Sequence, residues 1–413
     1  MKPKMDVKKS GVRPQKSSRS QDEQQVKTKD AMTDLIAKLH AQLCSGGNDQ
    51  SKSGPQAPNR DRLTVGVDLG DKCSSYCVLG LEGEELVRGE LRTTAEDFSE
   101  FFATLARSRV VVEVGTHSAW VAEELARRGH EVLVANPGRM ETKKTRKRKN
   151  DYQDAHRLAR LGRVDPQSLF SIQHRSSEVR KDLVWLRARD VLVAARTMLI
   201  NSARGLVKSM GGRLPKCHSE SFGNRVGDAI PPDMNDALQP LLELSTCVSE
   251  WIKTYDEKIE QLASKKYPET EKLQQVKGVG ALTSLAFVLT VGDPGRFIRS
   301  RDVGPYLGLV PAQQESGDSK PQLRISKSGD VMLRRLLVTS AHYILGPFGP
   351  DTDLRRYGER LYVRGGKNAK KRAVVAVARK LAVLLHALWA SGTAYKPLMH
   401  EAGGIPPAAS AAV

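Results

Sequence analysis

The chain is poor in aromatic residues and cysteines, and it has no long apolar run. Phe, Trp and Tyr make up 5% of its 413 residues, so stacking of splayed-out bases on aromatic rings is not expected to be its main mode of binding. Five cysteines occur without a Cys-x-x-Cys pair or the Cys/His spacing of a zinc finger, and Cys73 and Cys77 are expected to be small buried residues. Because a run of about 18 apolar residues and a signal peptide are both missing, we expect a cytoplasmic protein without membrane contact.

Positive charge dominates the sequence. It contains 66 Lys and Arg against 47 Asp and Glu, which gives a formal net charge of +19. Such an excess suits a polyanionic partner, since phosphates attract cations through Coulomb energy and counterion release with little dependence on sequence. A basic protein that is merely soluble is the alternative. The length allows two or three domains.

The order of elements between residues 61 and 172 is typical of an RNase H-like α/β domain. Residues 1–60 are rich in Lys, Ser, Gln and Asp and predict a disordered basic arm. After them, three strands are followed by helix, strand, helix and strand. A doubly wound parallel sheet would alternate from its first strand, so a mixed sheet is predicted instead. The predicted strands are Leu63–Asp68, Ser74–Leu79, Glu85–Leu91, Val110–Glu113 and Glu131–Ala135, and the predicted helices are Thr94–Arg107 and Ser118–Arg128.

Residues 173–266 predict two long helices. In Ser176–Met210 and Asp236–Lys265, apolar residues recur every three or four positions. In the second helix this spacing is the heptad pattern of a coiled coil. The two helices could pack on each other as an antiparallel pair within one chain, or the second helix could associate with another copy. Self-association is expected through Ile252, Tyr255, Ile259 and Leu262, with Leu241 and Val248 on the same seam.

Residues 267–400 predict a mainly helical C-terminal domain, and residues 401–413 form a tail. Gly278-Val279-Gly280 lies between two helices, as in a helix-hairpin-helix whose turn presents N–H groups to a phosphate, although many ordinary helical hairpins also turn through glycine. Residues 311–327 predict a loop. Helices are predicted over Leu282–Val291, Asp330–Leu345 and Ala369–Ala390. The basic residues at the start of the last helix, Lys370, Lys371 and Arg372, are expected to bind the phosphates of a nucleic acid.

Four acidic residues fall where they could converge. Asp68 ends the first predicted strand and Glu113 the fourth, and these two strands are neighbours in an RNase H-like sheet. Asp151 and Asp154 are three residues apart, so they share one face of a helix. Four carboxylates from three elements could hold one or two Mg²⁺ or Mn²⁺ ions, which prefer hard oxygen ligands and leave room for phosphate. Taken singly, Asp68 could be an acid that caps a turn at the end of its strand, and Asp151 and Asp154 could lie on a solvated helix face.

A run of cations directly precedes the acid pair. It is expected to hold a phosphate backbone against the metal ions. A nuclear-localisation signal has the same composition, and a solvated charge run is a third interpretation. The cations are Lys143, Lys144, Arg146, Lys147, Arg148 and Lys149.

Eight short motifs occur in an order that resembles the DEDD transposases of the IS110 insertion-sequence family, whose relatives include the Piv-type DNA invertases. The resemblance covers roughly residues 62–395. The motifs are Val-Gly-Val-Asp ending at Asp68, Val112–Thr116, Asn150–Ala155, Val276–Gly280, Gly292–Phe297, Tyr306–Pro311, Glu315–Gly317 and Ile325–Arg335.

The resemblance implies a fold and a mechanism. Members of the family join a RuvC-like domain to a C-terminal transposase domain through a coiled coil. The family's four acids fall on Asp68, Glu113, Asp151 and Asp154, and its serine nucleophile, which forms a phosphoserine with DNA, falls on Ser316. Without the family, Ser316 is an ordinary hydroxyl in a Gly/Ser/Asp loop. Basic residues that follow it and could bind the phosphate are Arg324, Lys327, Arg334 and Arg335.

The resemblance also implies partners. Members of the family are recombinases guided by a structured bridge RNA, one loop of which pairs with target DNA and another with donor DNA. Active sites shared between protomers imply a dimer, or a tetramer in the synaptic complex, acting at the bacterial nucleoid.

The sequence departs from the family pattern after Glu113, where the segment is one residue shorter. This difference leaves the role of His117 open, and a position in a turn is favoured over a role as general base. The alternatives are a Piv-like invertase without a guide, a RuvC-like nuclease that uses water, and a non-enzymatic architectural binder.

Overall fold

The computed structural model of the chain describes residues 62–140, 151–314, 321 and 323–398. These residues form two compact units, with the boundary between His174 and Arg175. Four expectations from the sequence lie outside the described residues: the basic arm at 1–60, the cationic run at 143–149, the nucleophile Ser316, and the tail at 401–413.

The first unit is built on a mixed five-stranded sheet with the strand order β3-β2-β1-β4-β5. β1 is antiparallel to β2 and parallel to β4, β2 is antiparallel to β3, and β4 is parallel to β5. The predicted order of strands is confirmed, and the mixed sheet is consistent with an RNase H-like fold. The strands are β1 (Thr64–Asp68), β2 (Cys73–Leu79), β3 (Glu85–Arg92), β4 (Arg109–Glu113) and β5 (Glu131–Ala135).

Helices cover both faces of this sheet. Helices α1 (Ala95–Ala103) and α2 (Ser118–Arg127) pack on the face that carries Val65 and Val67, while α3 (Asp151–Val164) packs on the opposite face. Thr94 caps the beginning of α1, as predicted, but the helix ends four residues before the predicted end at Arg107. The alternation of side chains along β1 therefore sends its valines to one core and leaves its other face to α3.

The second unit is helical. The helices are α4 (Ser177–Ser209), α5 (Phe222–Val226), α6 (Asn235–Lys265), α7 (Glu269–Gln274), α8 (Ala281–Val291), α9 (Val303–Tyr306), α10 (Val331–Leu345), α11 (Asp353–Val363) and α12 (Ala369–Ser391). The sequence did not predict α11. Short 3₁₀ turns lie at Pro166–Leu169 in the first unit and at Ser219–Ser221, Gly227–Ala229, Pro232–Met234, Pro294–Arg296 and Ser300–Asp302 in the second.

The long helices α4 and α6 form an antiparallel pair within the chain. Leu199 of α4 packs with Val248 and Ile252 of α6, while the beginning of α4 packs with the end of α6. Ile252 is 4% exposed and Ile259 is 1% exposed, so both residues are already covered by their own chain. The expectation that they mediate self-association is therefore wrong, and the antiparallel alternative describes the observed packing.

One core joins this helical pair to the helices that follow it. Leu183 and Ile259 belong to the same buried cluster as Leu273, Leu337 and Leu381. By length and composition α12 is apolar enough to cross a membrane, but half of its most apolar stretch is buried inside the protein. This burial is typical of the central helix of a folded domain.

Candidate metal centre and nucleic-acid groove

A close approach of α3 to β1 determines where the acidic residues lie. A Cβ atom on Gly66 would meet the carbonyl oxygen of Ala155 at 2.0 Å and the amide nitrogen of Ala159 at 2.4 Å, so only glycine fits at this position. Asp68 lies two residues further along β1 and therefore points to the same face of the sheet as Gly66. Consequently, the strand that accommodates α3 also presents Asp68 beside the beginning of that helix.

The far end of α3 is fixed on β4. A Cβ on Gly162 would meet Cγ2 of Val111 at 2.2 Å, and the Gly162 carbonyl accepts a hydrogen bond of 2.9 Å from Arg109. The same guanidinium donates two hydrogen bonds of 3.1 Å to Glu131. With Gly66 against Ala155 and Gly162 against β4, α3 runs antiparallel to β1 and its first turn lies at the Asp68 end.

Three of the four predicted acids come together there. Carboxylate oxygens of Asp68, Asp151 and Asp154 all lie within 4.8 Å of one another. Asp151 is exposed, and Asp68 and Asp154 are half-buried, so the group faces an open edge of the sheet. We call these three residues the acidic cluster.

Glu113 ends the neighbouring strand but is not one of these three. In the register of β1 and β4, Val67 pairs with Val112, so Asp68 and Glu113 are the next residues of two adjacent parallel strands. Glu113 also lies two residues after Val111, which packs against α3. It therefore belongs to the same face and edge as the acidic cluster.

The donor set of the cluster fits a hard divalent cation. An octahedral Mg²⁺ ion with oxygens at about 2.1 Å separates its ligands by roughly 3 to 4.2 Å, which is within the observed limit. All three donors are carboxylate oxygens, the type that Mg²⁺ and Mn²⁺ prefer. Asp68, Asp151 and Asp154 would hold such an ion, with Glu113 available from the next strand.

Two neighbours define the rim of this edge. Tyr152 donates a 3.0 Å hydrogen bond to Glu90 of β3, and burial together with this bond raises the pKa of Tyr152. His117 lies in the turn before α2, where its Nδ1 accepts a 3.1 Å hydrogen bond from Trp120 and its Nε2 lies 3.6 Å from Asp71. The prediction of a turn position for His117 is confirmed.

A large basic groove crosses the second unit. It encloses about 2710 Å³, and among the residues that the structure describes it is lined by twelve lysines and arginines and three acids. Four of the predicted phosphate-binding residues are among them: Arg324, Lys327, Lys371 and Arg372. The sequence did not point to others that α11 and α12 contribute, namely Arg360, Arg364, Arg379 and Lys380.

Three of the predicted phosphate-binding residues lie elsewhere. Arg334 is 8% exposed and donates hydrogen bonds to the carbonyls of Leu307 and Ser328 at 3.1 and 2.7 Å, so its role as a phosphate ligand is a wrong prediction. Arg335 forms an ion pair with Asp190. Lys370 lies over the Tyr362 ring at 5.8 Å, outside the groove lining. Of these three cations, Arg334 stabilises the fold through its hydrogen bonds to backbone carbonyls.

The stem of the segment that contains Ser316 lies along this groove. Pro311 and Ile325 form an isolated antiparallel bridge, and Ala312 donates a 2.8 Å hydrogen bond to the Arg324 carbonyl. Pro311, Arg324 and Ile325 all line the groove. The residues on either side of this segment therefore border a cationic surface.

Two family models match the chain. The model of IS110-type DEDD transposases, described as a transposase, matches residues 65–211. A model described as the transposase IS116/IS110/IS902 family matches residues 270–353. The first range contains all four predicted acids, and the second contains Ser316.

Several curated proteins are similar to the chain. The transposase for insertion sequence element IS1111A of Coxiella burnetii is 33% identical over 257 residues, which cover 60% of this chain and 68% of that protein. A probable family 20 transposase of Pseudomonas aeruginosa is 26% identical, covering 81% of this chain and 98% of that protein. The transposase for insertion sequence element IS1328 of Yersinia enterocolitica is 26% identical, covering 67% and 82% respectively.

Proposed function

The chain belongs to the IS110 family of insertion-sequence transposases, and we propose that it cuts and rejoins DNA by metal-dependent phosphoryl transfer with Ser316 as the nucleophile. Membership implies an enzyme that acts on DNA. The observation that carries the metal-dependent part is the acidic cluster, in which Asp68, Asp151 and Asp154 bring carboxylate oxygens within 4.8 Å of one another. We assign the fold of the first unit as RuvC-like.

The acids and the serine have separate roles in this proposal. Divalent ions bound by the acidic cluster and Glu113 would polarise the scissile phosphate and supply positive charge to the transition state. The Ser316 oxygen forms a bond to phosphorus while the phosphorus–oxygen bond to one strand end breaks, leaving that end as a free hydroxyl. A strand-end hydroxyl then attacks the phosphoserine and restores the DNA backbone, so that the bond energy is conserved.

Basic residues hold the nucleic acids. The groove of the second unit, with Arg324, Lys327, Lys371 and Arg372, is proposed to follow a phosphate backbone. The cationic run at 143–149 is proposed to do the same next to the acids. Donor DNA, target DNA and a structured bridge RNA are the proposed partners, and a dimer or tetramer at the nucleoid is the proposed assembly.

Two other functions make different predictions. A Piv-like invertase needs no guide RNA and acts at inverted sites, while a RuvC-like nuclease uses water and forms no bond to DNA. An experiment on the non-coding DNA of the element distinguishes the Piv-like invertase from our proposal. Deleting a structured non-coding stretch beside the gene should abolish recombination and remove an RNA that co-purifies with the protein, whereas an invertase would keep its activity.

The metal centre is tested with Asp154→Asn, which removes one charge and keeps the shape of the side chain. We expect Mg²⁺-dependent cleavage of a plasmid that carries the complete element to fall roughly 100-fold or more. Glu96→Gln, an exposed acid in the first turn of α1, is the matched control and should cleave normally. Wild-type rates in Asp154→Asn would refute the metal assignment.

The nucleophile is tested by trapping covalent protein–DNA adducts on a nicked substrate. Ser316→Ala should lose the adduct and recombination while it keeps its affinity for nucleic acid, and peptide mapping of the wild-type adduct should identify Ser316. Ser326→Ala and Ser328→Ala are controls, because these neighbouring hydroxyls lie 3.0 Å from each other beside the groove. Cleavage at the wild-type rate by Ser316→Ala would support the water-using nuclease.

A further inference from the structure

A second group of metal-ligand side chains lies on the face of the sheet that α3 covers. Cys77 comes from β2, Glu85 begins β3, and His156 comes from α3, and one ligand atom of each lies within 4.8 Å of the other two. The Cys77 sulfur is 3.8 Å from Oε2 of Glu85, and Nε2 of His156 is 4.0 Å from the same oxygen. Three separate elements thus bring a thiol, an imidazole and a carboxylate to one point.

The spacing and the donor types fit a tetrahedral ion of the Zn²⁺ class. Zn²⁺ bonds of about 2.3 Å to sulfur and 2.0 to 2.2 Å to nitrogen and oxygen place tetrahedral ligands roughly 3.3 to 3.7 Å apart. The observed separations need only small rotations of side chains to reach these values. A thiolate ligand selects a soft or borderline metal and disfavours Mg²⁺, so this group and the all-oxygen acidic cluster differ in the ion that they would bind.

The surroundings leave the ligand atoms oriented toward one another. Arg88 lies 3.6 Å from Oε1 of Glu85, and Oε2 of the same carboxylate faces Cys77 and His156. Arg88 thus orients Glu85 in the way that outer-shell residues orient metal ligands. The Cys77 side chain is buried, with 1% exposure, whereas about a third of the Glu85 and His156 side chains is exposed. The open side gives an ion an entry path and a place for a water ligand.

Binding has a proton cost at Cys77. Burial, together with the neighbouring Glu85 carboxylate, raises the pKa of the Cys77 thiol to about 12. A cation that binds the sulfur must displace this proton.

We propose that Cys77, Glu85 and His156 form a second metal site, for a thiophilic divalent cation such as Zn²⁺, which fastens the β2–β3 hairpin to α3. The ion would stabilise the helix that carries Asp151 and Asp154. His156 follows Asp154 by two positions, which is about 200° around a helix, so the two metal sites lie on different sides of α3 and can be filled independently. The proposal stands on this geometry and holds whichever reaction the acidic cluster performs.

Co²⁺ is a direct probe, because a cobalt–thiolate bond gives a charge-transfer absorption in the near ultraviolet that oxygen ligands do not give. We expect the full-length protein, reduced and in excess Mg²⁺, to develop this band with one equivalent of Co²⁺, and Zn²⁺ to displace it. The band should disappear in Cys77→Ser and persist in Cys73→Ser, the exposed cysteine four residues earlier on the same strand. It should also persist in Asp154→Asn.

Glu85→Gln keeps the test decisive if Cys77→Ser fails to fold, since Glu85 is at the surface. This variant should bind Co²⁺ at least ~10-fold more weakly than the wild type. Zn²⁺ should raise the unfolding temperature of the wild type by more than that of Glu85→Gln or His156→Gln at the same Zn²⁺ concentration, because weaker binding gives less stabilisation. Absence of the thiolate band in the wild type, or its loss in Cys73→Ser with retention in Cys77→Ser, would overturn the proposal.

Discussion

At the scale of single residues, the acidic cluster depends on a residue without a side chain. Gly66 lets α3 lie directly on β1, and Gly162 does the same on β4. Because the interior of a protein is close-packed, a single added methyl group at such a contact must move the helix. The position of Asp151 and Asp154 relative to Asp68 therefore depends on Gly66 as much as on the acids themselves.

Gly66→Ala should damage activity more than it damages folding. The new Cβ would lie 2.0 Å from the Ala155 carbonyl oxygen, so α3 must shift, at a cost of roughly 1 to 3 kcal/mol in the stability of the first unit. Mg²⁺-dependent cleavage should fall further than the loss of folded protein explains. Gly115→Ala is the control, because a Cβ there meets nothing within 4 Å. Normal cleavage by Gly66→Ala would show that the acids tolerate movement of α3.

Individual site residues differed in how far the sequence could predict them. Asp68 and Glu113 were identifiable because each ends a short apolar strand, and Asp154 because it lies three residues from Asp151. Arg334 was wrongly assigned to phosphate binding. Its burial results from hydrogen bonds to the carbonyls of Leu307 and Ser328, and the sequence around Arg334 does not reveal these contacts. The group around Cys77 was missed because His156 lies far from it in the sequence and no local spacing links them.

At the scale of elements, the heptad pattern identified a seam but not its partner. Apolar residues of α6 had the expected spacing, and the covering surface is α4 of the same chain. α11 was missed for the opposite reason, because its sequence is polar and its packing depends on Gly358, where a Cβ would meet Leu345 at 2.6 Å and Val377 at 2.7 Å. Periodicity detects faces rich in large apolar residues and overlooks close contacts made through glycine.

The exposed side of α4 is a better candidate for self-association than the buried seam. Val184, Val191 and Met198 are exposed by 61%, 67% and 63%, and they are spaced seven residues apart. A stripe with this period can pair with a second helix in a coiled-coil arrangement. The proposed dimer would then use a surface that the chain leaves uncovered.

Val191→Glu combined with Met198→Glu should therefore shift the protein toward the monomer, because two charges would be buried in an apolar contact. Sedimentation velocity of the protein with its nucleic acids measures this. Leu244→Glu is the control, since Leu244 is an exposed apolar residue on α6 and should leave assembly unchanged. An unaltered oligomer in the double variant would exclude the stripe as the interface.

At the scale of the whole molecule, many of the cations that the structure describes line one groove that a nucleic acid could follow. The net charge of +19 predicted a polyanionic partner from composition alone, but it could not say which cations act together. The groove combines residues mainly from four places in the chain: the stem around Arg324, the helix α11 with the segment after it, the beginning and middle of α12, and residues 395–397. The sequence pointed only to the first and to the basic start of α12, because α11 itself was not predicted.

Salt dependence distinguishes a phosphate-binding groove from a merely solvated basic surface. Each neutralised phosphate releases counterions, so the slope of log affinity against log salt changes by about 0.7 to 0.9 for each phosphate that a variant no longer neutralises. Replacing Arg324, Lys371 and Arg372 with alanine should flatten this slope by roughly 2 to 3. It should also weaken binding of DNA and RNA to a similar degree, since backbone contacts carry little sequence information.

The matched control is the triple variant Lys208→Ala, Lys253→Ala and Lys265→Ala, which removes the same charge from exposed positions on α4 and α6 outside the groove. If the control flattens the slope as much as the groove variant does, net charge alone accounts for binding and the groove has no special role. If only the groove variant does so, its cations bind the phosphates, and the same variant should also reduce formation of the Ser316 adduct, because the stem of that segment borders the groove.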